Sequence, residues 1–414
     1  MALLAGIHAE QHTEPFYRRR GQLKKLTRRE MLKATTSTGL LALAAPAMMS
    51  CSSSASASDP SPVILGVPFG PVAAKQMGQM GLAYELYIGK ALSLGLTVSR
   101  IEILRDGPAG AVLKVYEGAE LTRSIAPKVT PFSADDAVFN GQDYLILLAW
   151  PLLNATEAIP SRLYHRVYFT NGTMVEGGGV AVSTAATLIG SPLIGGRWHA
   201  ANGPSNFDRH HRMGIFNLNG SSSIVQRFAV DWIQLGPTDG LMYRGDGSQN
   251  TDWYCYNADL IAVADGTVIE TRDGQPENVP GPTTILTTTM QNIFGNCVII
   301  DIGGGRFAVY AHLIPGSLRV AIGDTVSRGK VIGKLGNSGN STAPHLHFHI
   351  CNGKDGLFSE GLPFTLASYD LLGSITLEEA LAVKPWSPSA APQTRTQEMP
   401  LMDQIVRLTP DPVG

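Results

Sequence analysis

Three histidines spaced by two close the stretch GKLGNSGNSTAPHLHFHI, residues 333–350. In a β-strand alternate side chains share a face, so His345, His347 and His349 point one way while Leu346, Phe348 and Ile350 point the other. Two adjacent imidazoles on one strand face suit a metal ion, and zinc takes neutral imidazole nitrogens at about 2.0–2.1 Å. The competing reading is a polar, solvated strand face. A His-x-His pair in an apolar strand, directly after a Gly/Ser/Thr/Pro-rich turn, favours the site.

Further ligands must come from other elements. Asn219-Gly220 is the strongest type of hairpin signal, so His211–Leu218 and Ser222–Trp232 read as paired strands. In the second, Val225, Arg227, Ala229 and Asp231 share a face, which makes Asp231 a carboxylate presented by a strand. Leu260–Val268 reads as two strands about an Asp265-Gly266 turn. Asn296–Ile302 and Arg306–His312 flank Gly303-Gly304-Gly305 and end in Tyr310-Ala311-His312. Val320–Gly333 adds two short strands, and the whole reads as a curved antiparallel sheet.

Ala262-Val-Ala-Asp-Gly-Thr-Val268, Tyr310-Ala-His-Leu313, Gly323-Asp-x-Val-x-x-Gly-x-x-Ile-Gly333 and Gly339-x-Ser-Thr-x-Pro-His-Leu-His-Phe348 stand in one register. Together they resemble the lysostaphin/LytM-type zinc metalloendopeptidases, whose fold is a duplicated hybrid motif, over roughly Asp231 to Ile350. The resemblance implies a β-sheet groove that cuts cross-bridge or stem peptides of peptidoglycan. It implies one zinc ion per chain, with Asp231 and His347 as ligands and His345 and His312 as the catalytic pair beside the scissile carbonyl. Three protein ligands leave a fourth zinc position for water, whose pKa falls towards ~7. His345 would act as base and return the proton to the leaving amine, and His312 would steady the oxyanion, or the two would exchange roles.

The departure from the family pattern lies at the first ligand. His-x-x-x-Asp is expected, but Arg227 stands four residues before Asp231. Arginine stays protonated and offers no lone pair. A guanidinium facing a dication at about 4 Å would cost on the order of 8 kcal/mol at an effective dielectric of about 20. Either a neighbour substitutes or the zinc is absent. For substitution, the hairpin brings residue 211 or 212 opposite Arg227, so His211 is the candidate third ligand and His210 the reserve. Arg227 would then pair with a carboxylate or with substrate. In the alternative Arg227 pairs with Asp231, and the chain is a catalytically inactive peptidoglycan-binding or regulatory module. The survival of His312, His345 and His347 favours substitution. His349 stands where an acidic residue is usual and is either a partner behind the metal ligands or a solvated strand residue. Trp253, Tyr254 and Tyr256 either line a substrate groove or pack. A lipoyl-type hairpin at Gly323–Gly333 would explain none of the histidines.

The 414 residues, 44% of them hydrophobic, suffice for two domains plus extensions, and a net charge of −2 gives no footprint for nucleic acid. Residues 1–50 read as a twin-arginine-type lipoprotein signal. Arg28-Arg29 precedes an apolar run, Leu40 to Met49, that is shorter than the ~20 residues a membrane span needs. Cys51 is the candidate lipidation site, residues 51–62 a flexible tether, and a lipid anchor the expected membrane contact. The expected location is the cell envelope or periplasm. Residues 63–200 read as an Ig-like β-sandwich with strands near Leu82–Ile88, Leu94–Leu104, Val112–Tyr116, Tyr144–Trp150, Leu163–Phe169 and Val180–Leu188. His165 reads as structural. Residues 201–384 form the peptidase-like domain and 385–414 a poorly ordered tail, so the fold class is all-β. Cys255, Cys297 and Cys351 lack metal or redox spacing and read as buried small hydrophobes.

Overall fold

The computed structural model describes residues 63–126, 144–206, 209–212, 214–218, 221–237 and 240–409, all within one compact unit. The expected export signal and tether, Cys51 and the Asn219-Gly220 turn lie outside the described residues. Among the described residues the fold is all-β, with mainly antiparallel strand pairs and three short α-helices.

The first region is two facing sheets. Ile64–Gly66, Tyr84–Gly89 and Tyr144–Ala149 form one, and Val98–Arg105, Val112–Glu117, Arg162–Phe169 and Met174–Ala181 form the other. Arg162–Phe169 shows how sequence dictates this: Leu163, His165, Val167 and Phe169 are buried and alternate with more accessible residues. They pack on Leu86, Ile88, Ile101, Ile103 and Leu147 in one core. His165 joins that core with both nitrogens engaged, 2.8 Å from the Tyr84 hydroxyl and 3.0 Å from the Gly178 carbonyl. The strand expected from Leu94 starts at Val98, because the chain turns through Gly95 at a positive φ of 64°.

The second region is one long sheet. Its path runs through Thr187–Ile189, Phe364–Ser374, Gln404–Leu408, Gly195–Ala200, Val230–Leu235, Leu346–Cys351, Phe307–Leu313, Asn296–Asp301, Gly266–Arg272 and Thr325–Val326. Thr187–Ile189 and Gly195–Ala200 are thus hydrogen-bonded into this sheet, ahead of the boundary expected at 200.

The tail expected to be poorly ordered is also part of the sheet. Gln404–Leu408 lies between Phe364–Ser374 and Gly195–Ala200, with Ile405, Val406 and Leu408 fully buried. Ser387–Glu398 pairs with Phe364–Ser374 and is mostly exposed, so its Ser, Pro, Gln and Thr composition meets no packing demand. The composition that suggested disorder is that of an exposed strand.

The hairpin about residues 219–220 forms, but only over Phe216–Leu218 and Ser221–Ser223. Beyond it the chain turns, with Arg227 N–H donating to the Ile224 carbonyl at 3.2 Å and Ala229 N–H to the Gln226 carbonyl at 2.9 Å. The expected single strand Ser222–Trp232 is therefore two, and Arg227 shares no strand face with Asp231. On the other side, residues 209–212 form one helical turn instead of the start of a strand.

Candidate functional site

Strand register brings the first two groups together. Asp231 stands directly across from His347, and His347 across from Ala311, one residue before His312. Leu346, Phe348 and Ile350 face the main core, while Cys351 packs with Phe294, Val309 and Ala311 on the opposite face. His347 and His349 alternate with the first set, as the period of two requires.

Asp231 is the hub. Its carboxylate lies 2.9 Å from His347 Nδ1, 3.5 Å from His211 Nε2, 3.6 Å from His345 Nε2 and 3.8 Å from His210 Nε2. Asn202 Nδ2 donates to Asp231 Oδ2 at 2.8 Å. Among the described residues, no lysine or arginine shares a salt bridge with Asp231, although it is only 4% exposed. Burial opposes its charge, but contacts from His211, His345 and His347 outweigh this and hold its carboxyl well below the usual range. Burial also disfavours charge on four of the nearby imidazoles: His211 is lowered to about 3, His345 is lowered, and His312 and His349 lie well below their ordinary value.

Backbone carbonyls fix the tautomers, because they can only accept. His211 Nδ1–H donates to the Asn202 carbonyl at 2.8 Å, His345 Nδ1–H to that of Ala343 at 2.9 Å, and His312 Nδ1–H to that of Ser338 at 2.7 Å. Each therefore keeps a lone pair on Nε2. His349 Nε2–H donates to the Gly356 carbonyl at 3.1 Å, which leaves its Nδ1 to accept from His347 Nε2–H at 3.0 Å. Gln226, 3.4 Å from the same His347 nitrogen, is too distant to compete with that bond. His347 Nδ1 faces Asp231 Oδ1 at 2.9 Å, a separation at which either a proton or a cation lies between the two atoms. This arrangement fits a zinc ion, for which the donor set of imidazoles and carboxylate is also suited. Among the described residues, the ligand atoms of His210, His211 and Asp231 all lie within 4.8 Å of one another.

His211 reaches the site by a different route from the expected hairpin strand. It sits on the helical turn Arg209–Arg212, with its ring 5.0 Å from that of His347. His210 is close but more exposed. His312 holds a positive φ of 70°, which a non-glycine residue adopts at a cost of order 1–3 kcal/mol. That backbone sets its ring 4.7 Å from the ring of His345.

Arg227 pairs with carboxylates other than Asp231. Its guanidinium is buried against the first region, where Nη2 lies 2.6 Å from Glu85 and 2.8 Å from Glu360, and Nη1 donates to the Gly361 carbonyl at 3.0 Å. The ion pair behind the inactive-module alternative is therefore not formed. His349 is fully buried, which excludes a solvated role. Trp253 is a core residue whose Nε1–H donates to the Gly247 carbonyl, Tyr256 donates to Glu277, and Tyr254 stacks beneath Arg244. Cys255, Cys297 and Cys351 are buried free thiols.

Sequence reasoning missed Asn202, whose amide donates to Asp231, and Ser338 and Gly356, whose contribution is a backbone carbonyl with no sequence signal. It also missed Glu85, which lies 142 positions from the arginine it holds.

Residues 250–357 match the model of Peptidase family M23. That stretch contains His312, His345, His347 and His349, while Asp231 and His211 lie before it. A segment of 90 residues is 34% identical to the peptidoglycan DD-endopeptidase ShyA of Vibrio cholerae, covering 22% of this chain and 20% of that protein. Another of 95 residues is 35% identical to endolysin 2638A of a Staphylococcus phage, covering 22% of this chain and 16% of the endolysin. The match thus spans about a fifth or less of each curated relative. Among solved structures, the catalytic domain of lysostaphin from Staphylococcus simulans aligns at 19% identity and a TM-score of 0.22, over 40% of this chain and 86% of that one.

Proposed function

From a chain that carries a peptidase family M23 domain, we propose an exported zinc metalloendopeptidase that hydrolyses cross-bridge or stem peptides of peptidoglycan. His211, Asp231 and His347 would hold the metal. The observation that carries this reading is the convergence on one buried carboxylate, with His347 Nδ1 2.9 Å from Asp231 Oδ1 and the Nε2 atoms of His211 and His345 at 3.5 and 3.6 Å. The curated relatives, a peptidoglycan endopeptidase and an endolysin, support the substrate class. Action in the cell envelope, with a lipid anchor at Cys51, rests on the N-terminal sequence.

Zinc, when bound, supplies a Lewis acid that polarises a carbonyl and acidifies water to a pKa near ~7. The chain's own groups handle the protons. His345 and His312 are both held as Nδ1–H tautomers, so each presents a basic Nε2 in the resting state. Either can accept a proton from the attacking water. The imidazolium so formed can donate to the leaving amine, while Asp231 and the neighbouring dipoles offset its charge. Only after such a proton transfer can His312 Nε2 act as a donor to an oxyanion, so basicity precedes oxyanion stabilisation in this arrangement.

The test is zinc stoichiometry after dialysis, together with hydrolysis of purified peptidoglycan before chelation, after it, and after zinc is restored. About one zinc per chain, chelator-sensitive hydrolysis and loss of both in His347→Ala are expected. Retained turnover in that variant would sink the proposal.

A further inference from the structure

The candidate third ligand sits on an element too short to stand by itself. One helical turn, Arg209–Arg212, carries no stability of its own, since isolated helices need about 12–15 residues to persist. What holds His211 in place must therefore be its neighbours. On one side its ring is tied to the Asn202 carbonyl. On the other, Arg212 is only 1% exposed and leaves the second region altogether.

The Arg212 guanidinium enters the three-stranded sheet of the sandwich. Nη2 donates to the backbone carbonyls of Tyr84 at 3.2 Å and Ala149 at 2.9 Å, and Nη1 lies 3.1 Å from Glu85 Oε1. Its Nε donates to Asn206 Oδ1 at 3.1 Å, and the guanidinium carbon lies 5.4 Å from the centre of the Trp150 ring. Glu85 also receives Arg227, at the position where the family pattern has its first histidine. One carboxylate of the sandwich thus holds both the arginine that replaced the usual ligand and the arginine beside the candidate substitute.

We propose that Arg212 is a positioning residue for the metal: anchored in the sandwich by Glu85, Tyr84 and Ala149, it holds the turn that brings His211 to Asp231, so the first region completes the zinc site of the second. This rests on the zinc-peptidase reading. It also gives the sandwich a role in the site that composition alone did not suggest. Groups that orient a ligand typically change metal affinity by about 10- to 100-fold.

The test measures zinc dissociation constants and stoichiometry on the full chain by competition with a chromophoric chelator, with near-ultraviolet circular dichroism reporting the fold. A purely structural role for Arg212 would lower the number of competent chains and leave the affinity of the folded ones unchanged. In the positioning role, folded Arg212→Met binds zinc about 10- to 100-fold more weakly, and adding Arg212→Met to His211→Ala weakens it no further. Should Arg212→Met fail to fold, Glu85→Gln, which keeps the shape of the anchor, is read in the same way. Parent-like affinity in the folded variant, or additive losses in the double variant, overturns the inference and leaves the peptidase reading standing. A parent chain that binds no zinc overturns both.

Discussion

Two buried charged clusters lie four residues apart in sequence, one around Arg227 and one around Asp231. Their bookkeeping differs. Around Arg227, two arginines meet two glutamates, Glu85 and Glu360, so the cluster is neutral within the protein. Around Asp231, a single carboxylate faces imidazoles, of which burial lowers those of His211 and His345, and among the described residues no guanidinium or ammonium pairs with it. A cluster that balances its own charge holds structure together. One that leaves a buried anion among lone pairs is arranged for a cation from outside. The comparison also explains how Arg227 is compatible with a metal site: its charge is taken up by the first region before it can oppose the ion.

The sharpest way to break this distinction is to remove one carboxylate from each cluster. Asp231→Asn should abolish stoichiometric zinc while leaving the metal-free fold within about 1 kcal/mol of the parent, since no fixed cation loses its partner. Glu85→Ala should do the opposite to stability, costing about 3–5 kcal/mol by leaving two buried arginines short of a counter-charge. Urea unfolding of the metal-free proteins checks both, and equal destabilisation by the two changes would erase the contrast. Next in size, His312→Gln should retain zinc and lose about 10²–10³ in kcat on peptidoglycan, because it removes a proton carrier and no ligand. Zinc loss in that variant would move His312 into the ligand set.

The most gradual effect is spread over pH. His165 in the sandwich and His199 on the strand Gly195–Ala200 are buried, both lowered to about 4 by burial. Unfolded histidines take up a proton below about 6.5. Between these values the unfolded state binds more protons, so stability falls as pH drops from about 6.5 towards 4. Each group contributes on the order of a few kcal/mol across that window. Unfolding midpoints of the metal-free protein against pH test this, and a flat profile down to pH 4.5 would contradict it.

Much of the architecture follows from alternation alone. The sandwich strands, the hairpins around residues 303–305 and the face-sharing of His347 with His349 are period-two patterns, set by the pleat and readable in any order of folding. His312, His345, His347 and Asp231 were legible because imidazoles and a carboxylate at strand positions have few structural reasons to recur. Three outcomes needed the tertiary structure. Arg227 turned away because Glu85, far along the chain, was within reach. His211 arrived on a helical turn because Arg212 is held by the sandwich. Ser387–Glu398 and Gln404–Leu408 joined the sheet because Phe364–Ser374 pairs with both of them, one on each side. Local sequence fixes which face a side chain takes within its own strand. Which distant charge or edge it meets is decided when long-range contacts form, and no local pattern encodes that meeting.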